Sequence, residues 1–269
     1  MTAWHRIERG AGQPLVLLHG AGASARCWLP VLDRLATHRR VIALDLPGFG
    51  DTPPPGGMEI DAEWLVTELA AELRRLGLDG PVDLVGNSLG GFIALEAARR
   101  GLARSVVALA PAALWHNGMP KPLRRIFLTG LAASALTRTP ARHALAVTAI
   151  RRTLLDVVVG HPERMTAADA IAMGRDLHRS GPTLRRLLRT AEHTRFTGGQ
   201  SISVPVTVAF GDLDRMLPHS TSQVRDELPA QTRWLTLPDC GHVPMWDNPE
   251  LIARTILEGT AEHATEATA

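Results

Sequence analysis

Short apolar runs alternate with segments of helical periodicity over the first 111 residues. The apolar runs are continuous rather than interleaved with polar residues, which is typical of strands buried on both faces of a parallel sheet. Each run ends in glycine, proline or asparagine, residues that terminate strands. The runs read PLVLLHG (14–20), RVIALDLPG (40–48), PVDLVGN (81–87) and RSVVALAP (104–111).

The segments between these runs predict helices. Residues 25–36 and 88–101 have helical periodicity, and residues 61–77 carry both terminal signals, with Asp61 as the N-cap and Gly77 at the end. Strands that alternate with helices of this length form βαβ units. We therefore expect an α/β fold with a mainly parallel central sheet flanked by helices.

The alternation stops in residues 112–202, where the sequence is mostly helical in pattern and arginines are dispersed through it. The strand pattern resumes at 204–212 and 232–242, and a last helix is predicted at 249–263. A helical segment between two strand-bearing segments indicates an insertion into a sheet domain.

This insertion predicts two units in the chain. Residues 1–111 and 203–269 are expected to form the core domain together, because the βαβ pattern continues across the insertion. Residues 112–202 are expected to form a helical cap, or lid.

Composition and charge exclude several classes of partner. Hydrophobic residues make up 45% of the chain, enough to bury a sizeable core. The formal net charge is only +2, and no basic stripe interleaved with aromatic residues is present, which argues against nucleic acid. No apolar stretch reaches membrane-spanning length without charges, so no membrane partner is expected. We expect a monomer or a homodimer that binds a small-molecule substrate.

Cysteine usage and the N-terminal sequence bear on cofactors and location. Cys27 and Cys240 are too few for a disulfide framework, and no spacing typical of metal ligands occurs, so both are expected to be reduced thiols. No metal and no other cofactor is expected. The first residues, MTAWHRIERG, lack the apolar segment of a secretory signal, which predicts a cytoplasmic protein.

Ser88 is the candidate nucleophile. It lies in a G-x-S-x-G pattern, Gly86 to Gly90, between a predicted strand and a predicted helix, which is the context that this motif requires. A sharp turn there lifts the hydroxyl above the sheet, over the helix N-terminus, and leaves no room for side chains at either glycine. The alternative is a serine that only caps the helix; the flanking strand and the paired glycines favour the nucleophile.

A serine nucleophile needs a base that accepts its proton and a carboxylate that holds the base in one tautomer. His242 is the candidate base, because it lies in a loop after the last predicted strand. The loop after strand 204–212 offers Asp212 and Asp214 as candidate acids. The histidines of the insertion are interpreted as surface or packing residues: His143, His161, His178 and His193.

The chain resembles the α/β-hydrolase superfamily over essentially its full length. The resemblance is carried by LLHGAGAS, VIALDLPGFGDTP, LVGNSLGGFIALEAA, VAFGDLDRMLP and CGHVPMWDNPE. It implies a mainly parallel sheet with a helical cap inserted before the acid-bearing strand. The family carries its acid in a G-x-x-D-x-x-x-P pattern, which favours Asp214 over Asp212, and the order Ser88, Asp214, His242 is that of the family's triad.

The resemblance also implies the groups that stabilise a developing oxyanion. The donors would be the backbone N–H groups of Ala21, in the HG loop, and of Leu89, directly after the nucleophile. His19 would brace the HG loop rather than react. Asp45 and Asp51, in DLPGFGDT, are interpreted as structural.

These residues predict a serine hydrolase that cleaves a carboxylic ester, lactone or thioester of a small, largely apolar substrate through an acyl-enzyme. Haloalkane dehalogenases and the usual epoxide hydrolases of this fold use an aspartate nucleophile, and this chain has Ser88 in that position. Such epoxide hydrolases also use lid tyrosines, and the chain contains no tyrosine. Both activities are therefore excluded.

Other activities of the same fold remain as alternatives. Asn87 and the double glycine after Ser88 resemble the GNSxGG of hydrolases that cleave carbon–carbon bonds of vinylogous diketones, although Val243 replaces the tryptophan that often follows their histidine. Cofactor-free haloperoxidases use the same triad. A non-catalytic receptor of this fold would bind a small ligand, and the complete set of triad residues argues against it.

The predicted cap is expected to set specificity. The candidates for an apolar substrate pocket are Trp115, Met119, Phe127, Val243, Met165, Ile171 and Met173. The alternative is that most of the cap residues pack the cap onto the core. Several arginines would either bind a substrate carboxylate or form a solvated helix face: Arg124, Arg125, Arg185, Arg186 and Arg189.

Overall fold

The computed structural model describes residues 3–56 and 60–261. The strands in these ranges are β1 (Arg6–Arg9), β2 (Pro14–Leu18), β3 (Arg40–Leu44), β4 (Val82–Asn87), β5 (Ala103–Leu109), β6 (Val206–Gly211) and β7 (Arg233–Leu237). They form one sheet in the order β1-β3-β2-β4-β5-β6-β7. β1 is antiparallel to β3, and the other neighbouring strands are parallel. The expected α/β fold class is confirmed.

The edge strand β1 has no counterpart in the sequence prediction. Its sequence, Arg-Ile-Glu-Arg, contains a single apolar residue and therefore lacks the apolar run of the buried strands. An edge strand has a hydrogen-bonded neighbour on one side only, and charged residues on such a strand discourage pairing with other chains. Charge at this position thus agrees with the observed topology.

Helices lie on both faces of the sheet and in the connection from β5 to β6. They are α1 (Leu29–Ala36), α2 (Ala62–Arg75), α3 (Leu89–Arg99), α4 (Lys121–Ser134), α5 (Thr148–Leu155), α6 (Ala167–Arg179), α7 (Gly181–Thr190), the single turn α8 (His219–Ser222) and α9 (Pro249–Gly259). Val16 and Leu18 of β2 belong to a core cluster with α2 and α3, whereas Leu15 and Leu17 belong to a second cluster with α1 and α9. This division follows from the two-residue period of a strand.

The helix boundaries reflect the predicted capping signals. The Asp61 carboxylate accepts a hydrogen bond from the Trp64 N–H at 2.8 Å, and α2 begins directly after Asp61. The prediction of a last helix to residue 263 extends beyond the observed end of α9 at Gly259, and residues 262 and 263 lie outside the described residues. No helix in the described ranges is both long enough and apolar enough to cross a bilayer.

The connection from β5 to β6 contains α4, α5, α6 and α7. It also contains four 3₁₀ segments, and two of them, Ala135–Arg138 and Pro140–Ala146, lie between α4 and α5 and interrupt the helical pattern there. Pro140 explains the interruption, because proline lacks the N–H that an α-helix interior requires. The boundaries of the cap at 112 and 202 remain a prediction.

Candidate active site

Ser88 occupies the turn between β4 and α3. Its backbone has φ 54° and ψ −114°, a conformation that residues other than glycine rarely adopt. The Ser88 N–H donates to the Leu109 carbonyl at 2.9 Å, and the Ser88 carbonyl accepts from the Ala112 N–H at 3.0 Å. These bonds to the neighbouring strand end hold the residue in its strained conformation.

The glycines on either side of Ser88 are required by close backbone contacts. A Cβ atom on Gly86 would lie 2.1 Å from the Gly90 carbonyl oxygen, and one on Gly90 would lie 2.1 Å from the Leu18 carbonyl oxygen. Both distances are far below van der Waals contact, and the opposing atoms belong to the backbone. The G-x-S-x-G spacing is therefore a packing requirement of this turn.

The imidazole of His242 is hydrogen-bonded to the carboxylate of Asp214. The distance from His242 Nδ1 to Asp214 Oδ2 is 2.8 Å, and both side chains are buried. A carboxylate accepts hydrogen bonds, so Nδ1 carries the proton and Nε2 is left as an acceptor. The other oxygen of Asp214 accepts the N–H groups of Met216 and Leu217, each at 2.8 Å, which fixes the carboxylate behind the ring.

Asp212 lies elsewhere in the same loop. It is exposed, and its Oδ1 accepts the Cys240 N–H at 3.3 Å. The structure thus brings Asp214, and not Asp212, to the His242 ring.

Ser88 and His242 line a common cavity with a volume of about 570 Å³. No hydrogen bond joins the Ser88 hydroxyl to the His242 ring among the contacts of the described residues. Serine–histidine contacts of this kind tighten when a substrate is bound. Both groups face the space that a substrate would occupy.

Two backbone N–H groups that could stabilise an oxyanion lie beside Ser88. Ala21 lines the cavity, and Leu89 is the first residue of α3. Within the described part of the chain, neither N–H donates a hydrogen bond to the backbone. A Cβ atom on Gly20 would lie 3.2 Å from the Ser88 Cβ, which shows how closely this loop approaches the serine.

His19 braces the loop that carries Ala21. Its Nε2 accepts the Leu46 N–H at 3.0 Å, so Nδ1 carries the proton and donates to the Gly20 carbonyl at 2.8 Å. Burial lowers the pKa of His19, which favours the neutral ring that these two bonds require. The contacts agree with the bracing role that the resemblance implies.

Asp45 and Asp51 support the neighbouring loop. Asp45 accepts the Ala25 N–H at 2.6 Å with one oxygen and the Asp51 N–H at 2.8 Å with the other. Potential ligand atoms of His5, Asp45 and Asp51 lie within 4.8 Å of one another. Both oxygens of Asp45 are already engaged in backbone bonds, and Asp51 pairs with Arg179 at 2.7 Å, so the group is better explained as structural than as a metal site.

A second, smaller cavity of about 50 Å³ adjoins Ser88 and is mainly apolar. Trp115 and Met119 line it, Val243 lines the large cavity, and Phe127 lines both. Trp115 is held in place by a hydrogen bond from its Nε1–H to the Thr194 carbonyl at 2.7 Å. Met173 also lines the large cavity, whereas Met165 and Ile171 line neither cavity. Contact of the lining residues with a substrate remains a prediction.

The candidate arginines of the insertion do not line either cavity. Arg124, Arg125, Arg185 and Arg189 are exposed, and the half-buried Arg186 donates to the Pro55 carbonyl at 3.2 Å. These positions agree with a solvated helix face.

Two residues that the sequence prediction leaves unassigned hold the His242 loop. The Asn87 side-chain Nδ2 donates to the His242 carbonyl at 2.9 Å and to the Leu109 carbonyl at 3.1 Å. Asp247 accepts the N–H groups of Gly241 at 2.7 Å, Gly160 at 3.0 Å and His161 at 2.7 Å. Burial raises the pKa of Asp247, although these backbone bonds oppose the rise. Both residues lie inside the motifs quoted above, but their partners are distant in sequence.

The charged lining of the large cavity is mainly acidic. Arg26 is its one arginine or lysine among the described residues, and this side chain is exposed. Asp156, Asp169 and Asp176 supply three carboxylates. Most of the other lining residues are apolar or small.

A model of the Alpha/beta hydrolase family matches residues 15–255. The chain is 27% identical to 2-hydroxy-6-oxo-6-(2'-aminophenyl)hexa-2,4-dienoic acid hydrolase of Metapseudomonas resinovorans, over 96% of this chain and 87% of that protein. It is 29% identical to pimeloyl-[acyl-carrier protein] methyl ester esterase of Aeromonas hydrophila, over 91% of this chain and 94% of that protein.

A similar solved structure is the meta-cleavage product hydrolase of Pseudomonas fluorescens IP01. The TM-score is 0.74 at 20% sequence identity, covering 95% of this chain and 93% of that one. At this identity the likeness concerns the fold alone. The similar proteins thus include one named as a methyl ester esterase, one named as a dienoic acid hydrolase and one named as a meta-cleavage product hydrolase.

Proposed function

Because the chain belongs to the α/β-hydrolase family, we propose that it is a serine hydrolase with Ser88, His242 and Asp214 as its catalytic residues. Its substrate is a small, largely apolar carboxylic ester, lactone or thioester. The observation that carries this proposal is the buried 2.8 Å contact between His242 and Asp214 at the cavity that Ser88 also lines.

In the proposed mechanism, Ser88 Oγ attacks the carbonyl carbon while His242 Nε2 takes the hydroxyl proton. The Nδ1 proton stays on the ring and faces Asp214, which stabilises the imidazolium. The N–H groups of Ala21 and Leu89 bind the tetrahedral oxyanion. His242 then protonates the leaving alcohol or thiol, the carbonyl re-forms, and an acyl-enzyme remains.

Water then releases the acyl group, with water as the nucleophile and Ser88 Oγ as the leaving group. His242 takes a proton from water, the resulting hydroxide attacks the acyl carbon, and the second tetrahedral intermediate expels Ser88 Oγ, which recovers the proton. The chain's own groups and water are sufficient for these steps.

The two cavities beside Ser88 differ in volume, so they accommodate substrate groups of different size. A cavity of about 50 Å³ accommodates a group of about four heavy atoms, since a single water needs roughly 10–15 Å³ of such space. The cavity of about 570 Å³ accepts a much larger group. The proposed substrate therefore has a small apolar group on one side of the scissile carbonyl and a large one on the other.

Carbon–carbon bond hydrolysis is the second candidate function. The relative from Metapseudomonas resinovorans and the Gly-Asn-Ser-x-Gly-Gly stretch around Ser88 favour it. That relative is named for a dienoic acid, and the carboxylate of such a substrate needs a cationic partner. Among the described residues, the charged side chains of the large cavity are the cation Arg26 and three carboxylates. This balance of charge favours a neutral ester.

The test combines a substrate panel with active-site labelling. We expect the wild-type protein to hydrolyse p-nitrophenyl esters and to react covalently with a fluorophosphonate probe, and we expect Ser88→Ala to lose both activities while it keeps its circular dichroism spectrum and melting temperature. Removal of a nucleophile of this type lowers kcat by about 10⁶-fold.

The panel also contains lactones and vinylogous diketones. Turnover of diketones in preference to every ester would replace the ester proposal with carbon–carbon hydrolysis. Ester hydrolysis that persists in Ser88→Ala would remove Ser88 as the nucleophile, and failure of the wild type both to turn over the panel and to react with the probe would favour a receptor.

A further inference from the structure

A buried carboxylate that forms no ion pair with any described residue lies in the wall of the large cavity. Asp176 of α6 is 7% exposed, and its Oδ2 accepts the Ser24 hydroxyl at 2.5 Å. In the described part of the chain, no arginine or histidine forms an ion pair with it, and its Oδ1 accepts no hydrogen bond. Burial raises the pKa of Asp176, and the Ser24 hydrogen bond and the more distant charges of Arg26 and Arg179 partly oppose this rise.

Asp176 lies beside the loop that approaches the candidate nucleophile. Ser24 follows Ala21 by three positions, and both line the cavity that Ser88 and His242 face. Helix α6 packs directly on this loop, because a Cβ atom on Gly22 would lie 2.6 Å from the Leu177 side chain. The Asp176 carboxylate is therefore within the same enclosure as the reacting groups.

The other carboxylates of the cavity are differently placed. Asp156 is only half-buried and pairs with Arg215. Asp169 is half-buried and accepts the Thr166 hydroxyl at 2.6 Å. Asp176 thus combines a largely buried side chain with an oxygen that accepts no hydrogen bond from the described residues, in the wall of a cavity that a substrate donor can enter.

We propose that Asp176 determines substrate specificity by accepting a hydrogen bond from a hydroxyl or ammonium group on the part of the substrate that occupies the large cavity. This proposal rests on the ester hydrolase function proposed above and names its substrate class as esters, lactones or thioesters that carry such a donor. Substrates with a carboxylate at the same position are rejected, because two buried anions repel each other.

A merely structural role for Asp176 has a different signature. If the carboxylate only holds α6 to the Ser24 loop by its hydrogen bond, its removal changes the kcat/KM of all substrates by the same factor. If it binds the substrate donor, its removal changes the ratio between substrates that differ only in the terminal group. Ratios of kcat/KM within a matched series therefore separate the two roles.

The test uses two matched series of esters. In one, p-nitrophenyl hexanoates end in a methyl, hydroxyl, ammonium or carboxylate group; in the other, acetates of six-carbon alcohols end in the same four groups. In the wild type, we expect the kcat/KM of the hydroxyl and ammonium members to exceed that of the methyl member by about tenfold or more in at least one series, as for a hydrogen bond to a charged group. The carboxylate member should have the lowest kcat/KM.

Asp176→Asn keeps an acceptor for Ser24 and removes the charge. We expect it to reduce the preference for ammonium by about tenfold and to raise the kcat/KM of the carboxylate member relative to the methyl member. Ser24→Ala is the complementary control, because it removes the hydrogen bond between the Ser24 loop and α6 but leaves the carboxylate in place. Its substrate ratios should stay within about twofold of the wild type.

The outcomes distinguish this proposal from the function on which it rests. Equal use of all four members of both series by the wild type would overturn the role of Asp176, as would equal ratios in the wild type and Asp176→Asn, even where hydrolysis depends on Ser88. Absence of any ester hydrolysis and of fluorophosphonate labelling would instead overturn the proposed function. If Asp176→Asn does not fold, the wild-type preferences alone decide.

Discussion

A non-glycine residue with a positive φ is costly, and at Ser88 the surrounding backbone offsets that cost. Strain of this type is worth about 1–3 kcal/mol. The bonds between Ser88 and the Leu109 and Ala112 backbone, together with the α3 bond from the Phe92 N–H to the Ser88 carbonyl at 3.0 Å, stabilise the conformation. The strain presents the side chain to both cavities, where a relaxed helix-capping serine would turn its hydroxyl to the backbone.

Asp214 and Asp212 allow a matched test of the proposed catalytic acid. Asp214→Asn should lower kcat by about 10⁴-fold, because an amide can donate to Nδ1 and so favour the wrong tautomer of His242. Asp212→Asn, which retains an acceptor for the Cys240 N–H, should change kcat by less than about tenfold. Steady-state kinetics with a p-nitrophenyl ester would measure both, and a larger loss in Asp212→Asn would contradict the assignment of Asp214.

Neighbouring strands are joined at their amino-terminal ends by a buried ionic cluster. Asp83 of β4 is bound by Arg39, which precedes β3, and by Arg104 and Ser105 of β5; the Ser105 hydroxyl donates at 2.7 Å. Burial raises the pKa of Asp83, but the bonds from Arg104, Ser105 and Arg39 outweigh it, so that the pKa lies below its ordinary value. The cluster lies at the opposite end of β4 from Ser88 and thus belongs to the stability of the sheet.

Asp83→Asn should destabilise the protein by about 3 kcal/mol at neutral pH, because it removes the buried counter-charge of Arg39, whose side chain is only 11% exposed. Since folding lowers the Asp83 pKa, its contribution to stability is fully present above the unfolded value of about 3.9 and is lost as the pH falls through the folded value. Urea unfolding at several pH values would therefore show a difference between wild type and variant that shrinks in acid.

Glu258→Gln is the control for this stability prediction. It breaks the pair with Arg233 at 3.2 Å, in which both side chains are about half exposed. Exposed pairs contribute roughly 0–1 kcal/mol, so little change is expected at any pH. An equal effect of the two substitutions, or a pH-independent effect of Asp83→Asn, would contradict the account given for Asp83.

The carboxyl ends of the parallel strands and the helices inserted between β5 and β6 enclose the two cavities together. Ser88 comes from the turn after β4 and His242 from the loop after β7, whereas Met119 and Phe127 come from the connection after β5. The size of each cavity is consequently a property of the assembled molecule, and it yields a prediction about substrate size.

In a series of esters with increasingly long groups on one side of the carbonyl, kcat/KM should be maintained only up to about four heavy atoms, the capacity of the small cavity. Beyond it, kcat/KM should fall by about tenfold or more, as expected when an apolar site is overfilled. Met119→Ala should move the limit to longer groups. Met173→Ala, in the wall of the large cavity, should leave it unchanged. Initial rates for acyl and alcohol series of increasing length test this, and a smooth decline on both sides would contradict it.

Local sequence was sufficient to predict much of the fold. The strands β2 to β6 were recognisable because buried strands need continuous apolar runs, and the edge strand β7 still carries Trp234, Leu235 and Leu237. Helix α2 was delimited by Asp61 and Gly77, whose effects are local. β1 escaped prediction because an edge strand needs little apolar sequence. The helical insertion was recognisable as a whole, but its 3₁₀ segments depend on Pro140 and on packing, which periodicity does not report.

The sequence by itself determined the strand-turn-helix around Ser88, since the two glycines and the apolar runs act over a few neighbouring positions. The family pattern favoured Asp214 over Asp212, and the tertiary structure shows its contact with His242. Only the tertiary structure decided that Asn87 and Asp247 hold the His242 loop and that Asp176 lines the cavity. Asp176 and its partner Ser24 are 152 positions apart. A carboxylate on a helix appears solvent-exposed in sequence until the chain folds and buries it, because desolvation and pairing are set by neighbours in space.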